Sequence, residues 1–174
     1  LPIFAPEVMI YWSGSMQARS IRWTSRSGQV AIRGLGHKST TTLDLNQAAA
    51  LPLTAITAWE ALFDRFQVSK DSTGTLLILG AAGGVGSMLV QLAARLTVLT
   101  VIGTASRPES QRWVTEMGAD QVINHHGDLA RNVHGIAPDG IDYLFSPYST
   151  GNVDAFAEVM RPHSWSITGS SEAR

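Results

Sequence analysis

Cysteine is absent from this chain, which removes disulfides, thiolate metal ligands and cysteine nucleophiles together. The absence leans toward a reducing compartment, and a cytoplasmic location is expected. Long apolar runs are missing too. None reaches the roughly 20 residues that a membrane-spanning helix needs, so no membrane partner is expected. Charge of either sign is in short supply: 13 basic against 14 acidic side chains leave a formal net charge of −1. That balance removes the electrostatic case for nucleic acid or an anionic membrane surface. Charged residues make up 16% and hydrophobic ones 44%, a ratio that builds a packed core and not a disordered chain. The 174 residues have room for one full core with an appendage. No secretory leader is visible, and the chain begins Leu1-Pro2 without an initiating methionine; a fragment or a processed product is the expectation.

The charge that is present is uneven. Residues 1–40 carry Arg19, Arg22, Arg26, Arg33 and Lys38 against Glu7 alone, in a Ser-rich setting. Transit peptides share those features, but a surface segment or the remains of an incomplete domain explains them more simply. Residues 1–42 hold only short strand-like pieces, such as Val8-Met9-Ile10-Tyr11 and Gln29-Val30-Ala31-Ile32, punctuated by Gly14, Gly28, Gly34 and Gly36. They are too few for an independent domain.

From Leu43 the character changes. Leu43 to Leu51 is Ala-rich and helical, and Pro52 is expected to stop it. A second helix is expected over Leu53 to Phe66, with Leu53, Ile56, Trp59, Leu62, Phe63 and Phe66 at helical spacing. An α/β alternation follows. Thr75 to Leu79 is a short apolar run suited to a strand buried on both faces. Gly84 to Leu96 carries one apolar stripe and predicts a helix. Strands are expected at Leu99–Gly103, Gln121–Asn124, Ile141–Ser146 and Trp165–Thr168. Helices are expected at Glu109–Met117, between Pro108 and Gly118, and at Leu129–His134 and Val153–Met160. The fold class is therefore α/β, a doubly wound parallel sheet of the Rossmann type over residues 43–174.

The run Gly80-Ala81-Ala82-Gly83-Gly84-Val85-Gly86 joins the first strand to its helix. A dinucleotide site needs this arrangement: a tight turn, a glycine that lets backbone approach the pyrophosphate, and one that lets helix and strand pack closely. The unpaired N–H groups and positive end of the helix then face the phosphates. Ala82, Gly83, Gly84, Val85 and Gly86 are the candidate phosphate-binding residues. Glycines alone are weak evidence of this, but here a strand precedes and a helix follows. No Lys precedes Ser87, which excludes a Walker-type phosphate loop. At the end of the second strand an NAD site usually has an acid to hold the ribose hydroxyls. This chain has Thr104-Ala105-Ser106-Arg107 instead. Hydroxyls and a guanidinium suit a 2′-phosphate, so NADP is favoured over NAD. The alternative is a solvated Arg107 with Ser106 capping the next helix.

Three segments in order, Ala48 to Leu62, Gly80 to Gly86 and Gly118 to Asn124, resemble the medium-chain dehydrogenase/reductase superfamily. The closest likeness is to its zinc-type alcohol dehydrogenase-like and quinone oxidoreductase-like members. The resemblance runs from about Gly36 to Arg161. It implies hydride transfer from NADPH to a quinone, an enone or another carbonyl, with Thr57 near the nicotinamide and Ser106, Arg107 and His125 around the 2′-phosphate. It also implies that residues 1–42 are the incomplete remnant of a β-rich substrate domain, and that the chain is a truncated or altered reading of a longer protein. No catalytic residue is assigned. A small carbonyl or quinone is the expected substrate, and a homodimer is possible.

Other chemistries fit less well. His125 and His126 are adjacent, so on a strand or turn they are expected to point apart and not to share one ion. No third ligand stands at suitable spacing, so no metal is expected. A short-chain dehydrogenase would need a Lys four residues after its Tyr, but Tyr143 is followed there by Pro147 and Tyr148 by Asn152. No G-x-S-x-G elbow supports a serine nucleophile, and Ser87 reads as a first-turn helix residue beside phosphate. Trp59 and Trp113 lie on apolar helical stripes and read as core.

Overall fold

The computed structural model describes residues 45–147 and 153–169, with side chains from Leu51 onward. The expectations for residues 1–44, and for Tyr148, fall outside the described residues. The chain divides into two compact units, Leu1–Leu53 and Thr54–Arg174. All that is described of the first is the beginning of helix α1, Leu45–Trp59.

Pro52 lies inside α1 instead of ending it. Proline removes one backbone donor and crowds the carbonyl four residues back, at a cost of about 3 kcal/mol in a helix interior. Here the helix continues through it, with Ala-rich sequence before and apolar periodicity after. The two expected helices are therefore one. Beyond α1, Glu60–Arg65 winds as a π-helical turn. Phe66 N–H reaches back five residues to the Ala61 carbonyl at 3.0 Å.

The second unit is built on five parallel strands in the order β3-β2-β1-β4-β5: β1 Thr75–Ile78, β2 Thr100–Thr104, β3 Gln121–Ile123, β4 Ile141–Ser146 and β5 Met160–Thr168. Between them run α2 Gly84–Leu96, α3 Pro108–Met117, α4 Leu129–His134 and α5 Val153–Val159. The central strand is covered on both faces, as a parallel sheet requires. Leu77 joins Ile102, Leu144, Val133 and Phe156 in one core cluster. Leu76 and Ile78 point the other way by strand alternation and are just as fully buried.

Local signals explain the boundaries. Pro108 opens α3 at its first turn, and Gly118, at φ 113°, ends it in the left-handed conformation. The Asp128 carboxylate accepts from Arg131 N–H at 2.9 Å and caps α4. Two further carboxylates tie strand ends together: Asp120 accepts from Val101 N–H at 2.7 Å, and Asp142 accepts from Thr75 N–H at 2.8 Å. The fifth strand is longer than its apolar residues suggest. Ile141 pairs with Met160 but Tyr143 with Trp165, so Pro162, His163 and Ser164 are taken up in an irregularity, with His163 at φ 67°.

Candidate functional site

Strand order places the site before any side chain is considered. From β1 the chain goes to β2 on one side, and β4 lies on the other. The order reverses at β1, and in open α/β sheets ligands sit at such a switch point, beyond the carboxyl ends of the strands. The glycine turn is there.

Its geometry follows from a few hydrogen bonds. Leu79 N–H still pairs with the Phe145 carbonyl of β4 at 2.8 Å. Gly80 then turns at φ 65°, a conformation that side-chain-bearing residues rarely adopt. Thr104, the last residue of β2, holds the next step. Its hydroxyl accepts from Gly80 N–H at 3.1 Å, and its carbonyl accepts from Ala81 N–H at 3.2 Å. Gly83 N–H closes the turn on the Gly80 carbonyl at 2.9 Å, and Ser87 N–H makes the first helical bond to the Gly83 carbonyl at 2.8 Å.

The glycines divide the work. The Gly83 N–H is engaged within the turn, so Gly83 contributes an open surface and no free donor. Gly84, Val85 and Gly86 form the first turn of α2, where backbone N–H groups have no acceptor four residues back. No side chain caps them. Gly83 and Gly84 are exposed, Ala82 and Val85 half-buried, and Gly86 buried. A side chain at Gly86 would run into the Gly80 carbonyl oxygen and lie 2.7 Å from Ala81 Cα. This is the glycine that lets helix and strand close up. A Cβ on Gly84 would meet Thr54 Cγ2 at 3.0 Å. Thr57, three residues on from Thr54 along α1, shares that helix face and is half-buried.

The second group gathers one strand further out. Thr104 is in register with Ile123, and Ala105 N–H donates to the Ile123 carbonyl at 3.0 Å. Ser106 and Arg107 therefore leave the sheet beside Asn124, His125 and His126. Arg107 occupies the N-cap position of α3, and no side chain caps that helix. The capping alternative for Ser106 is thereby excluded. Among the described residues neither the Ser106 hydroxyl nor the exposed Arg107 guanidinium has a side-chain partner. The two imidazoles do not point apart. They lie beyond the strand in a bend where the Asn124 side chain accepts from His126 N–H at 2.8 Å, and their ring centroids are 4.3 Å apart. Partial desolvation, and then the neighbouring His126, hold His125 below the ordinary imidazole value.

Three assignments from sequence change in the structure. Ser87 is buried and turned inward, its hydroxyl donating to the Ala81 carbonyl at 3.2 Å. Trp113 is half-buried and lies outside the core, and its indole N–H donates to Ser87 Oγ at 2.9 Å. Thr104, counted among the hydroxyls suited to a 2′-phosphate, is instead buried, with its hydroxyl accepting from Gly80 N–H. The sequence reading missed Gln111, whose amide donates to the Ala105 carbonyl at 3.1 Å. A polar residue ending an apolar strand, or interrupting an apolar helix stripe, is the signal that could have marked Thr104 and Ser87.

The matching family model, zinc-binding dehydrogenase, covers residues 84–164. Its name raises the question of a metal. Among the described residues no three His, Asp or Glu side chains group as metal ligands, and the chain has no cysteine. The donors present do not fit a zinc centre. A zinc-type alcohol dehydrogenase-like protein of Staphylococcus aureus is 38% identical over 165 residues, which is 92% of this chain and 48% of that protein. Among solved structures, a candidate zinc-dependent alcohol dehydrogenase from Rhizobium etli matches with TM-score 0.74 and 40% identity, covering 83% of this chain and 44% of that one. A quinone oxidoreductase from Pseudomonas syringae matches with TM-score 0.67 and 26% identity, covering 79% and 44%. The chain thus spans about half the length of the relatives it matches. The strand order, the switch-point glycine turn and these likenesses together make the chain similar to the medium-chain dehydrogenase/reductase proteins over about half of their length.

Proposed function

We propose that this chain binds NADPH and serves an oxidoreductase that transfers hydride to a quinone, an enone or another carbonyl. The observation that carries the reading is the pairing of two features at the carboxyl ends of neighbouring strands: the uncapped first turn of α2 after β1, and Ser106, Arg107 and His125 just past the paired ends of β2 and β3.

When bound, the reduced nicotinamide would supply the hydride. The chain's own residues bind and orient. The N–H groups of Gly84, Val85 and Gly86, with the positive end of α2, would meet the pyrophosphate charge. Arg107 would take the 2′-phosphate with its guanidinium and Ser106 would add a hydroxyl donor. His125, held below its ordinary value, is neutral near pH 7 and offers one N–H donor. Thr57, on the helix face that also carries Thr54, would line the nicotinamide side. The likeness to a quinone oxidoreductase supports the acceptor class. A second reading, a nucleotide-binding piece without catalysis of its own, draws on the half-length match to the relatives.

Two measurements on the same preparation separate the readings. One is an equilibrium titration with NADPH and with NADH, and the other is NADPH oxidation across a panel of quinones and enones. Binding with turnover supports the enzyme, and binding with a silent panel supports the second reading. No binding of either nicotinamide cofactor rejects both.

A further inference from the structure

Trp113 of α3 stands 26 residues from Ser87 of α2 in sequence, yet the two are hydrogen-bonded next to the glycine turn. Ser87 is only 7% exposed, so its hydroxyl has few ways to be satisfied. It donates to the Ala81 carbonyl inside the glycine turn and accepts from the Trp113 indole. Its own carbonyl accepts from the fully buried Gln91 amide at 3.2 Å. Ser87, at the end of the first turn of α2, is thus bonded both to the glycine turn and to α3.

The helix that carries Trp113 is itself fixed against the same turn. A Cβ on Gly103 would come within 2.5 Å of Val114 Cγ1 and 3.0 Å of Ala81 Cβ, so α3, β2 and the turn are in tight contact. Gln111 fastens the start of α3 to the Ala105 carbonyl, immediately before Ser106 and Arg107. A donor such as Trp Nε1–H has a single fixed direction and no acceptor capacity, which suits it to orient a hydroxyl that can otherwise rotate.

We infer that Trp113 is a positioning residue for the pyrophosphate: through Ser87 it fixes the Ala81 carbonyl and the first turn of α2, so that the Gly84–Gly86 N–H groups are aligned before the cofactor arrives. The inference rests on the dinucleotide reading above. Preorganised donors bind a developing or arriving charge without the cost of ordering them at that moment. The role concerns the pyrophosphate, which NADPH and NADH share, and not the 2′-phosphate, which they do not.

Trp113→Phe keeps most of the ring and deletes the N–H. In the full chain it should weaken NADPH and NADH by the same factor, about fivefold, as loss of one neutral hydrogen bond implies. Ser87→Ala should give a similar loss, and the double variant little more than either alone, since both act through one contact. Amide hydrogen exchange without ligand supplies a readout that a general packing role would not give. Exchange should quicken at Ala81, Gly83 and Ser87, whose amides are hydrogen-bonded within the turn, in Trp113→Phe while the amides of α3 and the sheet stay as they were. Unchanged affinity for both cofactors overturns the inference. So does a uniform rise in exchange across α3 and the sheet, which would mean that Trp113 only packs. If unsubstituted protein binds neither cofactor, the dinucleotide reading falls and this inference with it; if it binds and the variants bind equally well, this inference alone is lost.

Discussion

The α-hydrogens of Gly86 face the carbonyl oxygen of Gly80, with no space for a methyl group between them. One residue begins the turn and the other completes the first turn of α2, so any side chain at position 86 must push helix and strand apart. The neighbour in the way is backbone and cannot rotate aside. Gly86→Ala should therefore lower stability by about 2–3 kcal/mol, the upper range of overpacking. At Gly83 the same test atom lies 3.2 Å from that oxygen, on an exposed surface. Gly83→Val should leave the fold near normal and abolish cofactor binding. Chemical denaturation and NADPH titration of both variants check this contrast, and a Gly83→Val protein with unaltered affinity would remove the turn from the binding site.

Arg107→Ala should separate the two cofactors. A charge-assisted contact to phosphate implies about a 10- to 100-fold loss for NADPH and little change for NADH. Parallel dissociation constants give the answer. Equal losses for the two would mean that Arg107 acts through the start of α3, where it holds the N-cap position.

His125 should titrate below the ordinary imidazole range, because desolvation and then His126 both disfavour its charged form. The sign for stability follows. The unfolded chain takes up the proton first, so this contribution is intact above about pH 6.5. It is lost as pH falls through that value toward the lower folded one. His126→Gln should raise the His125 midpoint, and NADPH should raise it further by placing a phosphate dianion nearby. An NMR titration with and without each cofactor measures both shifts. A midpoint indifferent to NADPH would place His125 outside the 2′-phosphate site.

Asp142 offers a stability test away from the site. One carboxylate oxygen accepts from Thr75 N–H at 2.8 Å, and the other pairs with Arg161 at 3.2 Å, where the guanidinium is about half exposed. The backbone contact should dominate: Asp142→Ala should cost about 2 kcal/mol and Arg161→Ala below ~1 kcal/mol. Urea denaturation of the two variants decides, and equal costs would show that the ion pair carries the effect.

Where the chain's local signals agreed, the sequence was readable. Leu129–His134 and Ile141–Ser146 match their expected bounds because an Asp cap, apolar patterning and flanking turn residues coincide there. The glycine turn was legible for the same reason, since strand, glycines and helix lie within 22 consecutive positions, Thr75 to Leu96. Pro52 misled because a breaker rule that holds for single residues was outweighed by helix on both sides. The histidine pair misled because alternation applies to strands, and Ile123 is the last strand residue before it. The pairing of Trp113 with Ser87 was out of reach, since nothing local marks two residues on different helices as partners. Their contact exists only once α3 packs against α2.

The parallel sheet presents the candidate site only past the carboxyl ends of its strands, with the framework residues behind them. Positions 106, 107 and 125 carry no backbone pairing that the sheet depends on except through Ala105 and Ile123 beside them. Selection can therefore exchange those three side chains one at a time, each through a folded intermediate. On the proposed cofactor reading, changes at those three positions would shift the preference between a phosphorylated and an unphosphorylated cofactor and leave the contacts of Gly80, Gly86 and Thr104 that shape the turn in place.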